Sequence, residues 1–86
     1  MGTKRNPGKF DCYANAEPDE PMFILLGRDA DAAKAVREWA GARVRRINAG
    51  EKPESDRAMV GEAFACADAM DAYRLKRGVP HGTSPA

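Results

Sequence analysis

The chain has 86 residues, 43% of them apolar and 31% charged, with a formal net charge of +1. That is one small domain, which buries only about 60% of its unfolded surface and leans on a disulfide, a metal or a partner chain for stability. Two cysteines, Cys12 and Cys66, exclude a disulfide-dense scaffold, and the near-neutral charge excludes a global attraction to nucleic acid or to a membrane surface.

Residues 1–9, "MGTKRNPGK", combine Gly, Pro, Asn and charge and predict a mobile arm. No charged region followed by an apolar stretch opens the chain, so no signal peptide is expected. Gly2 suits myristoylation, but Asn6 stands where Ser or Thr is required. No apolar run approaches the roughly 20 residues of a membrane helix, so the expectation is a cytoplasmic protein. Residues 10–21 have no period, and Phe10, Cys12 and Tyr13 are placed to pin the arm to a core.

The run "MFILL", residues 22–26, shows neither alternation nor a helical stripe. Its length alone does not separate a buried strand from a buried helical turn. Asp19, followed by Glu20 and Pro21, matches the cap and first turn of a short helix, which predicts a short helix or turn at about 20–26. Laid across a hairpin, it would supply the third side of the core.

Two longer helices follow, at about 29–49 and 55–77. In the first, Asp29 is a suitable N-cap and Asp31 favours the helix dipole. Ala32, Ala33, Val36, Trp39, Ala40, Val44 and Ile47 recur at three and four, with Lys34, Arg37 and Arg45 assigned to the opposite side and Gly50 as a stop. In the second, Ser55 is a strong N-cap type, and Met59, Val60, Ala63, Phe64, Ala67 and Met70 form the stripe, widened by Cys66 and Tyr73. Lys76 and Arg77 suit its last turn, and Gly78 and Pro80 stop it. The short connection "GEKPE" implies antiparallel neighbours. Residues 79–86 read as a flexible tail. The fold class is therefore all-α, one domain whose core spans 10–78. A hairpin plus one turn leaves apolar surface over, so an oligomer is expected, most simply a two-fold dimer through Met22, Phe23, Leu25 and Leu26.

The chemistry on offer is sparse. Cys12, Cys66 and His81 lack the close pair spacing of a structural zinc site, and a Cys–His nucleophile would need the tail to hold geometry. Neither a metal nor a cofactor is expected. Asp68, Asp71 and Glu62 share roughly one face, where they suit solvation or pairing with Arg43 and Arg46 across the hairpin better than acid–base work. Helix-turn-helix DNA binding needs a tighter turn than "GEKPE" gives.

Charge is nonetheless uneven. "KAVREWAGARVRR", residues 34–46, holds five basic residues against one acid. Arg37, Arg43, Arg45 and Arg46 with Trp39 are groups that bind phosphate or stack on bases, although Arg stems also cover apolar surface and Trp39 lies on the core stripe. Arg28, at a chain turn beside the helix N-terminus that Asp29 is expected to cap, is a second candidate for holding an anion.

"KFDCYANAEPDEPMFILLGRD" followed by "ESDRAMVGEAFACADAMDAYR" resembles a family of short proteins encoded in phages and prophages of proteobacteria. The two blocks span about half the chain. The resemblance carries no catalytic residues with it. It implies a non-enzymatic binder in the cytoplasm of an infected or lysogenic host, such as an anti-defence factor that blocks a CRISPR-type effector or sequesters a nucleotide immune signal. The expected partner is then a host protein complex or a phosphate-bearing nucleotide, with Arg28, Asp29, Trp39, Arg43 and Arg46 as contacts. The alternatives are an assembly protein acting through helical oligomerisation and, third, a small nucleic-acid-binding regulator.

Overall fold

The structure, a computed structural model, describes residues 1–77. The expected stop at Gly78 and Pro80, the tail and His81 lie outside the described residues. Three helices occur among the described residues: α1 (Cys12–Asn15), α2 (Ala32–Asn48) and α3 (Asp56–Lys76). Helices α2 and α3 pack against each other. Arg43 reaches Asp56 at the start of α3, and Arg37 reaches Asp68 and Asp71 nearer its end, so the pair is an antiparallel hairpin.

The hairpin forms because each helix carries one apolar seam. Ala40, Ile47, Val60 and Ala63 are buried together, with Val36, Val44 and Met1 packed around them, and Ala32, Ala33 and Ala67 are buried too. Five of the seven buried apolar side chains among the described residues are alanines, so the two backbones meet closely over a thin seam. Helix α2 ends in a Schellman motif: Gly50 adopts φ +78°, the Glu51 N–H donates to the Arg46 carbonyl at 2.9 Å and the Gly50 N–H to Ile47 at 3.0 Å. Arg57 donates to Glu54 and to Asn48, tying the connection across its base.

Several expectations are corrected. No helix forms at 20–26. The short helix lies earlier, at Cys12–Asn15, where the Asp11 carboxylate accepts from the Tyr13 N–H, and the turn falls later, closed by the Asp29 N–H donating to Leu26 at 3.0 Å. Residues 21–26 have no regular secondary structure. Nor do they complete the core: Met22, Phe23, Ile24 and Leu26 are exposed and only Leu25 is half-buried. A seam of alanine methyls is closed by its own helices and leaves no trough for five large side chains.

Trp39 is exposed rather than core. Arg37, assigned to the far side, flanks the seam and crosses to α3. Cys12 and Tyr13 are exposed, so of the proposed pins only Phe10 is half-buried. Met1 packs against the hairpin core and its amino group bonds Glu62, whose carboxylate also accepts from the Phe10 N–H, while residues 2–7 are exposed. Glu62 thereby serves the N-terminal segment rather than a carboxylate face shared with Asp68 and Asp71. Asp29 gives up the expected cap position, and Ser55 keeps its own. Asp31 occupies the N-cap of α2 while the Asp29 carboxylate accepts from the Asp31 N–H, and Ser55 sits at the N-cap of α3 without a side-chain bond.

Candidate functional site

The predicted contact residues fall into two neighbourhoods. Trp39, Arg43 and Arg46 stand four and three apart and share one flank of α2. The Arg43 guanidinium lies 5.1 Å from the Trp39 ring centroid, within cation–π range, and donates to Asp56 at 2.9 Å. Its position is therefore fixed by an aromatic face on one side and a carboxylate on the other. Arg46 is exposed, and its nearest carboxylate, Glu51, is 3.9 Å away. Trp39 keeps 40% of its surface open to solvent.

Arg28 and Asp29 belong to the other end. They sit in the turn that leads into α2, and about 16 Å of helix separates Ala32 from Arg43. One small ligand does not touch both groups.

What positions the turn is a residue the sequence reading passed over. Arg74 is only 2% exposed, the one charged side chain buried among the described residues. Its guanidinium donates to the carbonyls of Gly27 and Asp29, both at 3.4 Å, and to the Asp71 carboxylate. Its Nε is buried without a hydrogen-bond partner. Gly27 packs beside Met70, where an added Cβ would make ordinary van der Waals contact at 3.4 Å.

Asp71 in turn accepts from Arg37 at 2.7 Å, and Arg37 donates to Asp68 at 2.8 Å. The chain Asp68–Arg37–Asp71–Arg74 thus runs from the helix surface to the backbone of the turn. The Arg37 guanidinium, with Arg74 adding to it, holds the Asp71 carboxyl below the usual carboxylate range against the opposing effect of burial. The same contacts, Asp68 first, raise the Arg37 pKa.

Beside this network is an open hollow of about 490 Å³ lined by Ala30, Asp31, Ala33, Lys34, Arg37, Glu38 and Asp71. Its two cations face three carboxylates, and Arg37 is already paired. Cys12 and Cys66 are free thiols, and no three metal-ligating side chains converge among the described residues. No helix among those residues is long and apolar enough to cross a membrane.

No protein-family model, curated protein or solved structure matches this chain.

The signals for Arg37 and Arg74 were present in the spacing. Arg37 stands four residues after Ala33 and seven before Val44, on their face. Arg74 stands four after Met70 and seven after Ala67, so it continues the seam of α3.

Proposed function

We propose that this chain is a non-enzymatic binding protein of phage or prophage origin that acts in the host cytoplasm by covering a surface of a host protein complex, as an anti-defence factor directed at a CRISPR-type effector would. The observation that carries the binding reading is the exposed Trp39 with Arg43 stacked on it and pinned by Asp56. An ordered, solvent-facing Trp–Arg pair matches the residues that dominate protein–protein hot spots, because large rigid groups bury area at little entropic cost. The phage setting rests on the sequence pattern alone.

A protein surface suits this flank better than a sequestered nucleotide signal. Arg43 has spent its charge on Asp56, so a phosphate would compete with an existing ion pair. Arg28 is too far away to help. Assembly through oligomerisation is the second reading, favoured by the exposure of Met22, Phe23, Ile24 and Leu26.

The test is co-purification of the tagged chain from a bacterium with an active CRISPR-type effector, using wild type and a Trp39→Ala, Arg46→Glu double variant. Effector subunits should accompany wild type and fall at least about tenfold in the variant, with the helical circular dichroism spectrum unchanged. Equal recovery with both proteins, or with Arg28, Arg43 and Arg46 all charge-reversed, overturns the reading. A nucleotide-sized added mass in native mass spectrometry would transfer the flank to ligand binding.

A further inference from the structure

We propose that Arg74 and Asp71 form a latch that closes residues 11–29 onto the hairpin as a strap, and that taking the charge from Asp71 releases the strap as one unit while α2 and α3 stay packed. The inference goes beyond the binding reading and does not depend on the Trp39–Arg43 flank.

The polar contacts that hold the strap lie at its two ends. Phe10, just before it, donates its N–H to Glu62. At the far end Arg74 donates to the carbonyls of Gly27 and Asp29, and Gly27 packs beside Met70. Between these ends, among the described residues, no hydrogen bond made by 11–26 reaches α2 or α3. Nor does any of these residues join an ion pair. None is buried, and only Asp11, Ala16 and Leu25 are half-buried. A segment tied to the rest by so few contacts opens before the rest does.

The latch is conditional on one charge. Arg74 is 2% exposed and keeps its proton at any working pH. Its counter-charge is Asp71. Its other partners are two neutral carbonyls, and its Nε is buried with none. The closed state thus already bears the cost of one unmet donor, and a buried guanidinium deprived of its carboxylate costs far more. Arg74 cannot shed its charge, so when Asp71 loses its own the guanidinium has to turn out to water. Outside α3, the hydrogen bonds it then gives up are those to Gly27 and Asp29, which are the bonds that close the strap.

The hairpin stands on other contacts. Without the Asp71 charge, Arg37 keeps Asp68, Arg43 keeps Asp56, and Ala40, Ile47, Val60 and Ala63 stay buried together. The released strap remains tethered at Phe10 and at Ala32, where α2 begins, and carries the exposed run 22–26 with it.

The experiment is amide hydrogen exchange, resolved by NMR, on the full chain at neutral pH. The reporters are the Asp29 N–H, which closes the turn on Leu26, and the Ala32 N–H, which donates to the Asp29 carbonyl. Asp71→Asn and Arg74→Met should each lose about tenfold or more of the protection at these two amides, with Ile47 and Ala63 in the seam held within about twofold. Arg74→Met removes the latch and the buried charge together, so it reads the strap even where Asp71→Asn unfolds. Asp68→Asn leaves Asp71 on Arg74 and should keep wild-type protection throughout. Unchanged protection at Asp29 and Ala32 in Arg74→Met overturns the latch. Equal loss at all four amides in Arg74→Met overturns the strap as a separate unit. Loss at Asp29 and Ala32 in Asp68→Asn overturns the assignment of the latch to Asp71.

Acid should reproduce the release. Asp71 is faced by Arg37 from α2 and by Arg74 from α3, Asp29 shares Arg74 with it, and Asp31, Lys34 and Glu38 surround the same hollow. Because Asp29 and Asp31 are carboxylates as well, the comparison is with Asp71→Asn. The Asp71 carboxyl is held below its usual range, so protection at Asp29 and Ala32 should fall in wild type as pH drops below about 5, and stay at its already low value in Asp71→Asn. Parallel profiles overturn the proposal.

Discussion

At the scale of single residues, Asp71 is the carboxylate that links α2 to α3. It joins two guanidiniums from different helices, and one of them holds the turn at Gly27 and Asp29. Asp71→Asn leaves the buried Arg74 without a counter-charge and should cost about 2 kcal/mol at neutral pH, a fall of about 10 °C in the thermal midpoint. The pH dependence follows from the same contacts. A carboxyl held below its unfolded value contributes stability that is complete above about pH 5 and is lost as pH falls through the unfolded value near 4 toward the lower folded one. Thermal midpoints measured between neutral and acid pH should therefore drop in wild type and drop less steeply in Asp71→Asn. Parallel profiles would show that Asp71 is not coupled to folding.

At the scale of elements, the seam between α2 and α3 is built of methyl groups, and that makes it sensitive to size. Ala63 is fully buried in it. Ala63→Leu should push the helices apart and cost about 1–3 kcal/mol, read from urea unfolding, whereas a variant of full stability would mean that the seam has slack. The two helices and most of their buried faces were legible in the sequence, because three–four spacing of apolar residues has a direct geometric meaning. Ala33, Ala40, Ile47, Val60, Ala63 and Ala67 all fell on the expected stripes and are buried.

What was not legible has definite causes. Arg37 was read by charge rather than by position and Arg74 was passed over, yet a long side chain with a carboxylate in reach can follow the seam as well as an apolar one. Trp39 was read by hydrophobicity, yet it shares its flank with Arg43 and Arg46, where the alanine-to-alanine approach leaves no room for an indole. The apolar run 22–26 carries no period at all, so nothing in it could report that the hairpin would close without it. The Trp39–Arg43 contact was partly visible, since residues four apart are neighbours on a helix, but the pinning by Asp56 depends on the neighbouring helix and emerges only from the fold.

At the scale of the whole molecule, a seven-residue apolar core of mostly alanine stabilises a domain of this size only modestly. The large apolar side chains are spent instead on the outside, at Met22, Phe23, Ile24 and Leu26. If their burial is completed by a second copy, folding and association are linked, and stability rises with concentration. The midpoint in differential scanning calorimetry should climb across about a hundredfold dilution series. A midpoint that stays flat identifies a protomer that is stable by itself.

Arg74 grips the turn by the carbonyls of Gly27 and Asp29, and every amino acid has a carbonyl. A clamp of that kind is blind to the letter at position 28. Mutation can therefore rewrite that position without moving the scaffold beneath it.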